Sequence, residues 1–101
     1  MTRLKIIMTW DIRPGREQEY SEFINEKFAP GLVEIGIPPS DVFYTAYGAV
    51  PQILAVLEAA DRQALLRALR SQRWADLKRH LLQLIEHYGE KVIDSDQGNY
   101  F

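Results

Sequence analysis

Leu4, Ile6, Met8, Trp10 and Ile12 alternate with Arg3, Lys5, Ile7, Thr9 and Asp11, and this period of two predicts a first β-strand. Pro14-Gly15 follows as a turn, because proline fixes φ and glycine tolerates positive φ. The period then lengthens. Tyr20, Phe23, Ile24 and Phe28 recur at helical spacing, with Glu17, Glu19, Glu22 and Glu26 on the other side. Glu17 and Glu19 fall in the first turn, where a carboxylate suits the positive end of the helix dipole. Pro30-Gly31 is expected to end or kink this helix, with Leu32–Ile37 adding a short turn before Pro38-Pro39.

Val42–Ala49 reads as a second strand, rich in β-formers, and Gly48–Gln52 as the hairpin into a third strand over Ile53–Glu58. Asp61 is placed to cap a helix through Leu65, Leu66 and Leu69. Ser71 is placed to cap another, with Trp74, Leu77, Leu81, Leu84, Ile85 and Tyr88 on one stripe and Gly89 as its C′ residue. Lys91–Ser95 forms a short last strand, and Asn99-Tyr100-Phe101 a tail expected to pack on a partner protomer. The order β-α-β-β-α-β, its second helical region broken in two, predicts an α+β ferredoxin-like fold. In that fold an antiparallel sheet carries helices on one face. One domain over residues 1–101 accommodates it.

Such a sheet leaves its other face bare. Strands two and three are apolar on both sides: Val42 and Tyr44 oppose Phe43 and Thr45, and Ile53, Ala55 and Leu57 oppose Leu54 and Val56. A sheet wet on one side alternates apolar with polar, so a second copy of the sheet is the expected cover, giving a homodimer.

Composition narrows the classes. With 47% hydrophobic and 26% charged residues, the chain is that of a folded domain. A net charge of −2 supplies no basic field for nucleic acid or anionic lipid, so neither partner is expected. There is no cysteine, hence no disulfide, thiolate metal site or thiol nucleophile. The apolar stretches fall well short of the roughly 20 residues a bilayer demands. Nothing near Met1 reads as a leader, and a cytoplasmic location is expected.

Pro14-Gly15 before the first helix, the Thr45-Ala46-Tyr47-Gly48 strand end and Ser71-x-x-Trp74 opening the last helix resemble the dimeric α/β-barrel superfamily. Tyr47-Gly48-Ala49-Val50-Pro51-Gln52, followed by Asp61-Arg62, is most similar to its NIPSNAP branch. The resemblance runs from Leu4 to about Ile93 and implies two protomers joining their sheets in a shared barrel. It also implies ligands held between sheet and helices. The superfamily holds cofactor-independent monooxygenases, haem enzymes and isomerases, so fold selects no chemistry.

The candidate groups are few. Trp10, Tyr44, Tyr47 and Trp74 are the aromatics that would line a sheet–helix cleft, phenols serving as polar handles. Tyr44 and His80 are the groups for stabilising an enolate or phenolate, and imidazole titrates near neutrality. His80 and His87 both fall at the margins of the last helix's buried stripe, the second in its final turn. They are two helical turns apart, too far to share one metal, and no metal or cofactor is expected. The basic set Arg62, Arg67, Arg70, Arg73, Lys78 and Arg79 is expected to face the acidic first helix as complementary solvated surface. Three functions remain: a NIPSNAP-like homodimer binding a small organic molecule, a cofactor-independent monooxygenase or isomerase of small aromatic or polyketide-like substrates, and an interaction module without ligand.

Overall fold

The computed structural model describes residues 4–45 and 51–94. Strand β1 (Leu4–Ile12) leads into helix α1 (Glu17–Phe23), a π-helical turn (Ile24–Phe28) and helix α2 (Ala29–Glu34). Strands β2 (Pro39–Tyr44) and β3 (Ile53–Ala59), helices α3 (Arg62–Leu69) and α4 (Gln72–Leu84) and strand β4 (Ile85–Asp94) complete it. The four strands form one antiparallel sheet in the order β2-β3-β1-β4, as the predicted α+β ferredoxin-like arrangement requires. The helices lie on one face. Leu4, Ile6, Met8 and Trp10 of β1, with Ile53, Ala55, Leu57 and Ala59 of β3, are buried beneath them, following the period of two. Among the described residues no helix is long and apolar enough to cross a membrane.

Local signals set several boundaries. The Asp61 carboxylate accepts from the Ala64 amide at 2.8 Å and starts α3, and the Ser71 hydroxyl accepts from Trp74 at 3.1 Å and starts α4. Pro30 does not end the first helical run. It falls in the first turn of α2, where its missing N–H is not needed, and the change of register is absorbed just before it by the π-helical turn. The helix stops at Gly36 instead, at φ +88°. There the amides of Gly36 and Ile37 donate to the carbonyls of Val33 and Leu32, and Ile37 packs into the core.

Two expectations are corrected. The second strand begins at Pro39 rather than Val42, drawn forward by pairing of Pro39 with Leu57. The Ala46–Ala49 part of its predicted span lies outside the described residues, as does the tail. The last helix ends at Leu84, not at Gly89, and β4 starts at once. Ile85 and Glu86 pair with Ile12 and Asp11, and Arg13 donates from its amide to the Leu84 carbonyl and from Nη2 to that of Ile85. Strand pairing thus captures residues whose helical stripe continued without a break. Gly89 is a strand residue paired with Thr9, where a Cβ would stand 3.0 Å from Thr9 Oγ1.

Candidate functional site

The cleft opens between the helix-facing side of the sheet and the run from α1 to α2. Register builds its floor: Trp10 pairs with Ile53 and Ile53 with Tyr44, so the three share a face across β1, β3 and β2. Tyr20, Ile24, Phe28 and Leu32 form the roof, and Val42 and Tyr44 the rim. The cavity measures about 70 Å³ and is open where Val42 and Tyr44, the latter 69% exposed, overhang at the sheet's edge. The π-helical turn contributes Ile24 and Phe28, and such turns are frequent at functional sites.

Trp10 anchors the cleft. It is 1% exposed, meets Tyr20 and Phe28 edge-on at 6.4 Å each, and stacks on Tyr88 at 6.3 Å. Its Nε1–H donates to Tyr20 Oη at 3.0 Å. Tyr20 is itself 4% exposed, and burial pushes its hydroxyl up to about 12, partly offset by that bond, with the neighbouring Tyr44 adding a smaller upward push. Tyr20 is therefore a neutral phenol at any ordinary pH. Tyr88 is pushed upward too, by burial first and by the Glu90 carboxylate second, and its hydroxyl reaches Met8 Sδ at 3.4 Å and Glu90 Oε1 at 3.3 Å.

Among the described residues of the aromatic set, Trp10 and Tyr44 meet in the cleft. Trp74 is buried on α4 with Lys78 Nζ 5.9 Å from its ring centre, Lys78 also lying 5.2 Å from Tyr88 and 2.9 Å from Glu90. It supports the core and does not line the cleft. Tyr47 lies outside the described residues. His80 is half-buried on α4, its ring 4.1 Å from that of Phe23, in a separate groove with Lys27, Arg73 and Asp76. Tyr44 and His80 therefore do not share a site. His87 is not in a helix at all. It occupies a bulge of β4 at φ +57°, where its Nδ1 meets the Asp11 carboxylate at 2.8 Å. The other Asp11 oxygen accepts from the Gln52 amide at 2.8 Å, and these contacts, Gln52 foremost, lower its pKa.

Among the described residues, no ion pair joins Glu17, Glu19, Glu22 or Glu26 to the basic set. Arg73 meets Glu34 at 3.4 Å, Lys78 meets Glu90, and Arg79 meets Asp76 at 3.2 Å. Nor does any group of three or more His, Asp or Glu there converge as metal ligands. The residue that sequence reasoning passed over is Tyr20, read as one more apolar member of the α1 stripe. Its signal was a hydroxyl on a buried stripe, which must find a partner.

No protein-family model matches the chain, and no curated protein does. Solved structures do. A NIPSNAP family protein from Agrobacterium tumefaciens is 21% identical, with 92% of this chain and 91% of that one covered at a TM-score of 0.66. SnoaB, a cofactor-independent oxygenase from Streptomyces nogalater, is 13% identical over 90% of each chain at 0.68. A dimeric protein of unknown function and ferredoxin-like fold from Bacteroides fragilis is 14% identical over 91% and 95% at 0.62. At these identities the likeness is one of fold. The chain has a ferredoxin-like fold, one that a NIPSNAP family protein and SnoaB share with it.

Proposed function

We propose that this chain is a homodimeric NIPSNAP-like module that holds a small organic molecule in the cleft between sheet and helices. The carrying observation is a cavity that its own side chains leave open beside Trp10, with Tyr20 and Tyr44 as its polar groups. A module with no ligand would fill that space. The oxygenase reading needs a group that draws a proton from the substrate. Among the described residues the lining offers no imidazole, carboxylate or amine, and Tyr20 stays neutral. Fragment screening by two-dimensional NMR tests the cleft: shifts concentrated on Trp10, Tyr20 and Tyr44 are expected, and a broad set moving none of them refutes it.

The dimer rests on the sheet's other face. Phe43 pairs with Leu54 and Val56 with Ile7, so a diagonal of apolar side chains crosses three strands, with Asp41 and Thr9 at the polar ends of the two rows. A shallow concavity of about 440 Å³ with Ile7, Leu54 and Ile93 in its lining lies on that face. A second copy of the sheet is the cover argued from its own shape, and the Bacteroides neighbour is described as dimeric. Sedimentation equilibrium is expected to give a dimer, with Leu54→Glu a monomer. A wild-type monomer at micromolar concentration overturns this part.

A further inference from the structure

Resting on the cleft reading above, we infer that the site selects an uncharged ligand carrying one hydrogen-bond acceptor, a small ketone or ether, and rejects carboxylates and amines. Trp10, Ile24, Phe28, Leu32, Pro39, Val42, Ile53, Ala55 and Leu57 give the lining apolar surface, and no Lys, Arg, His, Asp or Glu lines it among the described residues. An anion entering there leaves its hydration behind with no cation to replace it, and an ammonium finds no carboxylate.

The two phenols divide the remaining work. Tyr44 stands at the rim in contact with water, so its hydroxyl imposes no requirement. Tyr20 is buried, and its oxygen already accepts the Trp10 indole proton. Its own proton has no acceptor among the described residues, and a buried donor without one is costly. A ligand oxygen supplies that acceptor. Deprotonation of Tyr20, which would reverse the polarity and favour a donor, is held off by its raised pKa. Size adds a limit. The 70 Å³ is about half the volume of a cavity that admits benzene, so a ligand of about six heavy atoms fills it together with the opening beside Tyr44.

The test uses three ring compounds of six heavy atoms each: cyclopentanone, methylenecyclopentane and cyclopropanecarboxylate. The readout is the indole N–H resonance of Trp10 in the full chain, with that of Trp74, away from the cleft, as internal control. Cyclopentanone is expected to shift the Trp10 resonance saturably, binding roughly three- to tenfold more tightly than the hydrocarbon. The carboxylate is expected to leave it in place at the same concentrations. Tyr20→Phe should erase the ketone's advantage while hydrocarbon binding persists. Equal binding of ketone and hydrocarbon to the wild type, or a carboxylate that binds as well as the ketone, overturns the ligand class and leaves the cleft as a binding site. If none of the three moves Trp10, the cleft reading falls as well. The wild-type series decides the matter even if Tyr20→Phe fails to fold.

Discussion

The π-helical turn separates two hollows of opposite character. On its inner side Ile24 and Phe28 wall the cleft around Trp10, while on its outer side Phe23 and Lys27 border the groove that holds His80, Arg73 and Asp76. The groove, at about 360 Å³, is the larger. Yet its polar groups are half-solvated, and two are already engaged in exposed ion pairs. The cleft is small, apolar and organised around one buried hydrogen bond. Titratable side chains gather where water is, and here they mark solvated surface. The informative polar atom is a phenol enclosed by apolar walls.

That contrast can be broken most directly by truncation. Trp10→Ala removes the ring that contacts Tyr20, Phe28 and Tyr88 and is expected to cost about 3–5 kcal/mol, lowering Tm by more than about 10 °C. His80→Ala removes a half-buried ring tilted against Phe23 and is expected to stay within about 1 kcal/mol. Comparable losses by thermal denaturation would make the groove part of the core and erase the distinction.

Alkaline pH sharpens the comparison from the other side. Tyr20 has a folded pKa of about 12 against 10 for the free side chain, so the unfolded state releases its proton first as pH rises. Its contribution is complete below pH 10 and is lost between 10 and about 12, a fall of about 2–3 kcal/mol. Tyr88 acts in the same sense. Urea unfolding from pH 9 to 11 should show the decline, and Tyr20→Phe should flatten it. An unchanged slope in that variant would assign the decline elsewhere.

Smaller effects test the cleft's frame and the groove's rim. Gly36→Ala forces a side chain into φ +88° at the stop of α2 and is expected to cost about 1–2 kcal/mol, measured by urea denaturation. A neutral result there would mean that the helix end relaxes freely. Glu34→Gln breaks the exposed pair with Arg73 and is expected to change stability by less than about 0.5 kcal/mol, the difference vanishing in high salt.

Much of this was legible in the residues because it is local. The alternation of Leu4, Ile6, Met8 and Trp10 predicts both the strand and its buried side. Asp61 and Ser71 predict where α3 and α4 begin, since a cap is a bond to an amide three residues away. The end of α4 was not legible. Leu81, Leu84, Ile85 and Tyr88 continue a helical stripe, and the same residues serve as a strand. Only pairing of Ile85 and Glu86 with β1, a contact more than 70 residues distant in sequence, decides between them. His87 moved with that boundary from a helix turn to a strand bulge.

The site divides in the same way. Residue type alone nominated Trp10, Tyr44, Tyr47, Trp74 and His80. Which of them meet is a matter of register and of helix rotation. The Tyr44–Ile53–Trp10 row across three strands unites two of them, while α4 carries Trp74 and His80 away from the cleft. The order of elements, the two caps and the buried face of β1 follow from periodicity and near-neighbour hydrogen bonds, while β3, apolar on both sides, shows its buried face only in the fold. Tertiary structure alone decided the last strand's start, the partnership of Trp10 with Tyr20 and the separation of cleft from groove. Those depend on long-range pairing, which no local pattern encodes.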